Sequence, residues 1–169
     1  MQGHIFSDVA KLKARYGTSD PFELIEGRGI QLRFRNDIGR LKGFYTVQFR
    51  EEFIVLNENM NERDQRDAAA HELGHVVYDR KAAQVAPLRD FMLYDMRSKM
   101  EYRANMFAAE LLIEDAQIVE MVGEDLHYMS MCHELGCHPQ LVCFKLYSMI
   151  QRGYNFSMPD SLRSDFLAR

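Results

Sequence analysis

The residues best suited to chemistry are His71-Glu72-Leu73-Gly74-His75, an H-E-x-x-H pattern inside a segment that Ala68, Ala69 and Ala70 mark as helical. Two histidines four positions apart differ by about 40° around a helix and sit one turn above each other. Both rings can therefore point a nitrogen at one ion at about 2.0–2.1 Å, which favours zinc. Glu72 lies about 100° from His71, where a carboxylate is better placed to act as general base on a water than to bind the ion. Neutral imidazoles leave most of the ion's charge uncompensated, so such a water can lose its proton near neutral pH. Gly74 in a helix interior costs about 1 kcal/mol relative to alanine, and the expected reason is close packing of this helix against a sheet.

A catalytic site of this type needs a third ligand and an open fourth position. Glu101, Glu110, Glu114, Asp115, His127, His133 and His138 all lie downstream. Glu101 and Asn105 share a helix face, so one could bind metal while the other orients a histidine ring from behind. Glu110 falls about 180° from Glu101 on that helix, so the two cannot both face the site. Ser98-Lys99-Met100-Glu101 also reads as a capping box, which would direct Glu101 back to the helix start. His133-Glu134-Leu135-Gly136-Cys137-His138 has its histidines five apart beside a helix-interrupting glycine and proline, and reads as a decoy. Cys132, Cys137 and Cys143 fit no standard metal spacing and read as free thiols. Tyr45, Tyr78, Tyr94 and His127 are candidate oxyanion donors, among which spacing does not choose.

The elements that must carry these residues follow from the punctuation of the chain. The 169 residues, 47% hydrophobic and 27% charged with net charge -4, suit one compact globular unit and argue against disorder. Ser7 or Asp8 opens a first helix to Tyr16, and Asp20-Pro21 a brief second one. Alternation at Ile30, Leu32 and Phe34, a turn at Asn36 to Gly39, a strand within Leu41 to Phe49, a turn at Glu51-Glu52 and a strand from Phe53 to Leu56 follow. Asn61 caps a long helix to about Ala86, ahead of Pro87; Phe91 to Tyr94 reads as extended. Helices then run from Ser98 to Leu112, from Asp115 to about Val122, from Asp125 to near Gly136 and from Pro139 to Gln151, with a short amphipathic turn around Leu162 to Leu167. The expected class is α+β: a small antiparallel sheet on the H-E-x-x-H helix in a core of residues 1–123, and a helical, helix-turn-helix-like subdomain over 124–169 packed on it.

The start Met1-Gln2-Gly3-His4 lacks a secretory layout and no apolar run approaches a membrane span, so a cytoplasmic protein without membrane attachment is expected. The mildly acidic balance gives no field for nucleic acid. The helix-turn-helix-like stretch from Met131 to Leu146 brings only Gln140 and Lys145 to the start of its second helix, which disfavours direct DNA binding. Oligomeric state is not legible.

The helix with His71-Glu72-Leu73-Gly74-His75, the block Glu101-Tyr102-Arg103-Ala104-Asn105-Met106-Phe107-Ala108-Ala109-Glu110-Leu111-Leu112, and the preceding strand Phe53-Ile54-Val55-Leu56-Asn57 resemble the ImmA/IrrE metallopeptidases of bacteria and their mobile elements. The resemblance runs from about residue 8 to about residue 150, with its specificity in the two motif blocks. It implies a zincin of the glutamate-ligand type in which His71, His75 and Glu101 bind Zn2+ and Glu72 is the base. It also implies a protein substrate, a DNA-binding helix-turn-helix repressor. Asp79 stands where family members often carry a histidine, which alters any support that position gives the site. Ile113-Glu114 replaces the common methionine-proline. The competing reading is a non-catalytic, zinc-stabilised module that sequesters a regulator.

Overall fold

In the computed structural model, described over residues 3–90 and 98–155, the chain begins with two helices, α1 (Gly3–Tyr16) and α2 (Pro21–Gly27). The first starts before Ser7. The second is capped as expected: Asp20 Oδ1 accepts from Phe22 N at 2.7 Å and Glu23 N at 3.1 Å. Three strands follow, β1 (Gln31–Arg35), β2 (Gly43–Gln48) and β3 (Glu51–Asn57).

The sheet is mixed rather than antiparallel throughout. With the short β4 (Leu88–Asp90) its order is β1-β3-β2-β4; β2 runs antiparallel to both its neighbours, whereas β3 runs parallel to β1. The turn after β1 does reverse the chain, but it is wide enough for β3 to return between β1 and β2. Asn57 at the end of β3 ties that connection down, donating from Nδ2 to the carbonyls of Gly39 and Leu41 at 3.1 and 2.8 Å. The β2–β3 turn falls at Phe49-Arg50, two residues earlier than expected, with φ of 51° and 72°. A two-residue hairpin demands left-handed backbone to match the strand twist, and that demand outweighs the poor suitability of these two side chains.

Helix α3 (Glu62–Tyr78) carries the H-E-x-x-H pattern and starts as expected, with Asn61 Oδ1 accepting from Asp64 N at 2.8 Å. It ends at Tyr78, short of Ala86, because Asp79 leaves helical backbone (φ -122°, ψ 17°) and turns its side chain back onto His75. A single-turn helix, α4 (Arg80–Ala83), precedes β4. The extended piece thus begins at Leu88, and the expected stretch Phe91 to Tyr94 lies outside the described residues, as does the turn around Leu162 to Leu167. The remaining helices are α5 (Lys99–Leu112), α6 (Asp115–Gly123), α7 (Tyr128–Leu135) and α8 (Pro139–Gln151). Helix α7 starts after His127 rather than at Asp125, whose own φ is 56°.

Helix α3 is buried from Asp67 to Val76, between β2 and β3 on one side and α5 on the other. Gly74 explains how closely α5 approaches: a Cβ there would stand 2.7 Å from Ala104 Cα. The close packing expected of Gly74 is therefore against α5, not the sheet. Helices α1 and α8 cover other faces of α5. A buried ionic cluster joins α8 to α5 and α6: Lys145 Nζ lies 2.7 Å from both Glu110 Oε2 and Asp115 Oδ1, while Arg152 also pairs with Asp115.

Candidate metal centre

The two histidines of α3 point toward α5 with their Nε2 atoms 3.1 Å apart. Glu101, in the first turn of α5, sets one carboxylate oxygen 3.2 Å from His71 Nε2 and the other 3.5 Å from His75 Nε2. Among the described residues these three form the group of His, Cys, Asp and Glu side chains able to hold a metal ion, with ligand atoms within 4.8 Å of one another. Ser98 caps α5 by accepting from the Glu101 backbone N at 3.1 Å, so the capping box is only half made. The Glu101 side chain is drawn to the imidazoles instead.

What lies behind each ring decides which nitrogen faces the centre. His71 Nδ1 is 2.7 Å from Asn105 Oδ1 and His75 Nδ1 is 2.9 Å from Asp79 Oδ2. A carboxylate can only accept, so His75 Nδ1 carries the proton and its Nε2 presents a lone pair. The amide oxygen of Asn105 sets His71 the same way. Two lone pairs and a carboxylate then converge on one small space, an arrangement that calls for a cation between them. With no cation between them a proton takes that role: although burial favours the neutral ring, Asp79 and Glu101 outweigh it and raise the His75 pKa, and although burial pushes Glu101 up, the facing rings, once protonated, hold it well below the usual carboxylate range.

The donor set fits zinc. Ligands at about 2.05 Å on a tetrahedron are separated by about 3.3 Å along each edge, and the separations here are 3.1, 3.2 and 3.5 Å. The 3.2 and 3.5 Å separations end on different oxygens of Glu101, so whichever oxygen ligates, the carboxylate and the two imidazole nitrogens make three ligands and leave a fourth position for a further one.

Glu72 occupies the side of α3 that faces the sheet and is 1% exposed. A Cβ at Gly43, the first residue of β2, would fall 3.0 Å from Glu72 Oε1 and 3.0 Å from the Val55 carbonyl. Glycine at position 43 is what leaves the carboxylate its space. Sequence reasoning missed this residue, although a glycine opening a strand of large side chains signals close approach by another group. It also missed Arg103, which donates to Asp79 Oδ1. That contact joins two residues far apart in sequence, and position 103 lies about 200° around the helix from Glu101.

The other candidates are engaged elsewhere. Glu110, 3% exposed, is held by Lys145, Ser148 and Arg152. Glu114 pairs with Lys13, and Asp115 with Lys145 and Arg152. His127 and His138 cap α7 and α8. The three cysteines are free and buried. The Tyr45 and Tyr78 hydroxyls donate to Glu52 and Asp8 at 2.6 and 3.1 Å, and Tyr94 lies outside the described residues.

A family model described as the IrrE N-terminal-like domain, of a peptidase family, matches residues 25–147, which include the whole of α3 and α5. The chain belongs to the IrrE N-terminal-like family. Among relatives of this IrrE-like chain, an uncharacterized immunity region protein 2 of Bacillus phage phi105 is 34% identical over 107 residues, covering 63% of the chain and 66% of that protein. The metallopeptidase ImmA of Bacillus subtilis is 26% identical over 118 residues, covering 68% of the chain and 63% of that protein. The chain thus spans just under two thirds of the length of each of these relatives.

Proposed function

We propose that this IrrE-like chain is a zinc-dependent endopeptidase that cuts a peptide bond in a protein substrate, a helix-turn-helix transcriptional repressor in the cytoplasm. The observation that carries the reading is the convergence of His71 Nε2, His75 Nε2 and the Glu101 carboxylate at tetrahedral-edge distances, beside the buried carboxylate of Glu72. The relatives support it in two ways: one is named a metallopeptidase, and another is named for a phage immunity region. No helix among the described residues is long and apolar enough to cross a membrane.

His71, His75 and Glu101 would hold the ion, with Asn105 and Asp79 fixing the rings behind. A bound zinc ion supplies the positive charge that makes a water acidic near neutral pH and polarises a carbonyl. Glu72 accepts the proton of the attacking water on its carboxylate and returns it to the leaving amine. Glu72 lies against Gly43, so this proton transfer would occur beside the sheet. Among the described residues strand β4 is the edge next to β2, and an extended substrate pairing along a sheet edge would present its carbonyls in order.

The test incubates the purified chain with small helix-turn-helix repressors, beginning with any encoded next to it, and watches for fragments. Glu72→Gln is expected to lower cleavage by about 10²–10⁴-fold, the usual worth of a positioned base, while zinc content stays at one ion per chain. His75→Ala is expected to lose the ion as well. Undiminished cleavage by the Glu72 variant overturns the assignment, and tight repressor binding by the parent with no fragments favours sequestration.

A further inference from the structure

Asp79 is 4% exposed, yet its carboxylate is divided between two partners on opposite sides: Oδ2 faces His75 Nδ1 at 2.9 Å and Oδ1 accepts from a terminal nitrogen of Arg103. The guanidinium is itself located, with its carbon 5.3 Å from the centre of the Tyr78 ring, whose hydroxyl donates to Asp8 of α1 at 3.1 Å. Asp79 belongs to neither helix. It follows α3 in a non-helical conformation, with its backbone N–H on the His75 carbonyl at 2.8 Å. Without a second anchor the carboxylate could turn about its side-chain torsions and lose the imidazole. The contrast is His71, whose partner Asn105 sits inside α5, fully buried.

We infer that Arg103 is a positioning residue for the metal centre: by clamping Asp79 Oδ1 it holds Oδ2 on His75 Nδ1 and so aims His75 Nε2 at the ion. The inference rests on the metal-site reading above. Arg103 is not one of the three side chains that would ligate the ion, and it reaches His75 only through Asp79, with its own side chain 39% exposed. One helix, α5, thereby contributes the carboxylate ligand Glu101, the His71 partner Asn105 and the clamp on the His75 partner. The clamp also ties α5 to the residue that ends α3, so the separation of α3 from α5 and the aim of His75 are set together.

The experiment measures zinc affinity of the full chain by competition with a chromophoric chelator, for the parent, Arg103→Gln, Arg103→Lys, Asp79→Asn and the Asp79→Asn/Arg103→Gln double variant. Removing such outer partners weakens metal binding by about 10–100-fold. Arg103→Gln is expected at the lower end, near tenfold, Arg103→Lys to recover part of the loss, and the double variant to bind no more weakly than Asp79→Asn alone. Long-range ¹H–¹⁵N spectra of the metal-free chains, recorded at a pH alkaline enough for the ring to be neutral, supply a second reading, which a general loss of stability would not move: His75 is held as the Nδ1–H tautomer in the parent and becomes a tautomer mixture in Arg103→Gln. Parental affinity in Arg103→Gln, or a double variant whose loss is the sum of the two single losses, overturns the clamp. A parent that binds no zinc defeats the metal-site reading instead, and the tautomer spectra then decide the clamp alone.

Discussion

Replacing Gly74 by alanine sets two physical effects against each other, and the structure decides the sign. Alanine in a helix interior is favoured over glycine by about 1 kcal/mol. Against that, the new Cβ would stand 2.7 Å from Ala104 Cα, 3.1 Å from its carbonyl oxygen and 3.2 Å from its Cβ, where ordinary contact begins at 3.4 Å. These are backbone atoms or atoms rigidly attached to them, so no rotamer change relieves the clash. Helices α3 and α5 must separate by about 0.7 Å, and overpacking of this kind costs about 1–3 kcal/mol. With the upper part of that range applying, Gly74→Ala is expected to destabilise the metal-free protein by about 1–2 kcal/mol. Because His71 and His75 ride on one helix and Glu101 on the other, the same separation is expected to weaken zinc binding at the proposed site. Gly123→Ala is the control: it is helical, nothing lies within 4 Å of its Cβ, and the change should stabilise by up to about 1 kcal/mol. Urea denaturation followed by circular dichroism reads both. A Gly74→Ala midpoint that rises as the Gly123→Ala midpoint does would refute the claim that this glycine sets the interhelical distance.

Glu110→Ala removes one of the two carboxylates held 2.7 Å from the buried Lys145 ammonium, and breaking a buried pair costs about 3–5 kcal/mol. Since Asp115 remains, a loss near about 3 kcal/mol is expected in denaturant titrations, and a loss under about 1 kcal/mol contradicts the cluster's role in seating α8. Burial alone would raise the Asp115 carboxyl, but Arg152 and Lys145 outweigh it and hold it well below its ordinary 3.8. The stability it contributes is therefore present above that value and is lost as pH falls toward the folded-state value. The gap between parent and Asp115→Asn should be constant above about pH 5 and narrow below about pH 4, and a gap that widens on acidification reverses the sign. Zinc at 100 times its dissociation constant should stabilise the parent by about 2.7 kcal/mol, seen as a raised melting temperature that His75→Ala abolishes. Burial pushes the Cys137 and Cys143 thiols up to about 11 and about 12 and raises Cys132 as well, so iodoacetamide at neutral pH should label none of the three until denaturant is added.

Much of the site was legible in the sequence because helical geometry is local. The four-residue spacing of His71 and His75 places both rings on one face whatever surrounds them, and the same spacing sets Asn105 beside Glu101. Helix starts at Asp20, Asn61 and Ser98 were legible for the same reason, since a cap is a contact among residues within three positions. His75 and Asp79 also stand four apart, but their pairing depends on the helix ending between them, and α3 was expected to run on to Ala86.

What tertiary structure alone decided are the contacts between distant segments. Alternation and turn residues mark strands but do not say which edges meet, so β3 could slip between β1 and β2 and make the sheet mixed. Gly74 announced a close neighbour without naming α5. Glu101 had two local roles open to it; the capping geometry kept its backbone while the facing imidazoles took its side chain. Gly43 beside Glu72 and Arg103 on Asp79 had no local signature strong enough to select them, because each matters only through a group many residues away that the packing of α3, α5 and the sheet brings within reach.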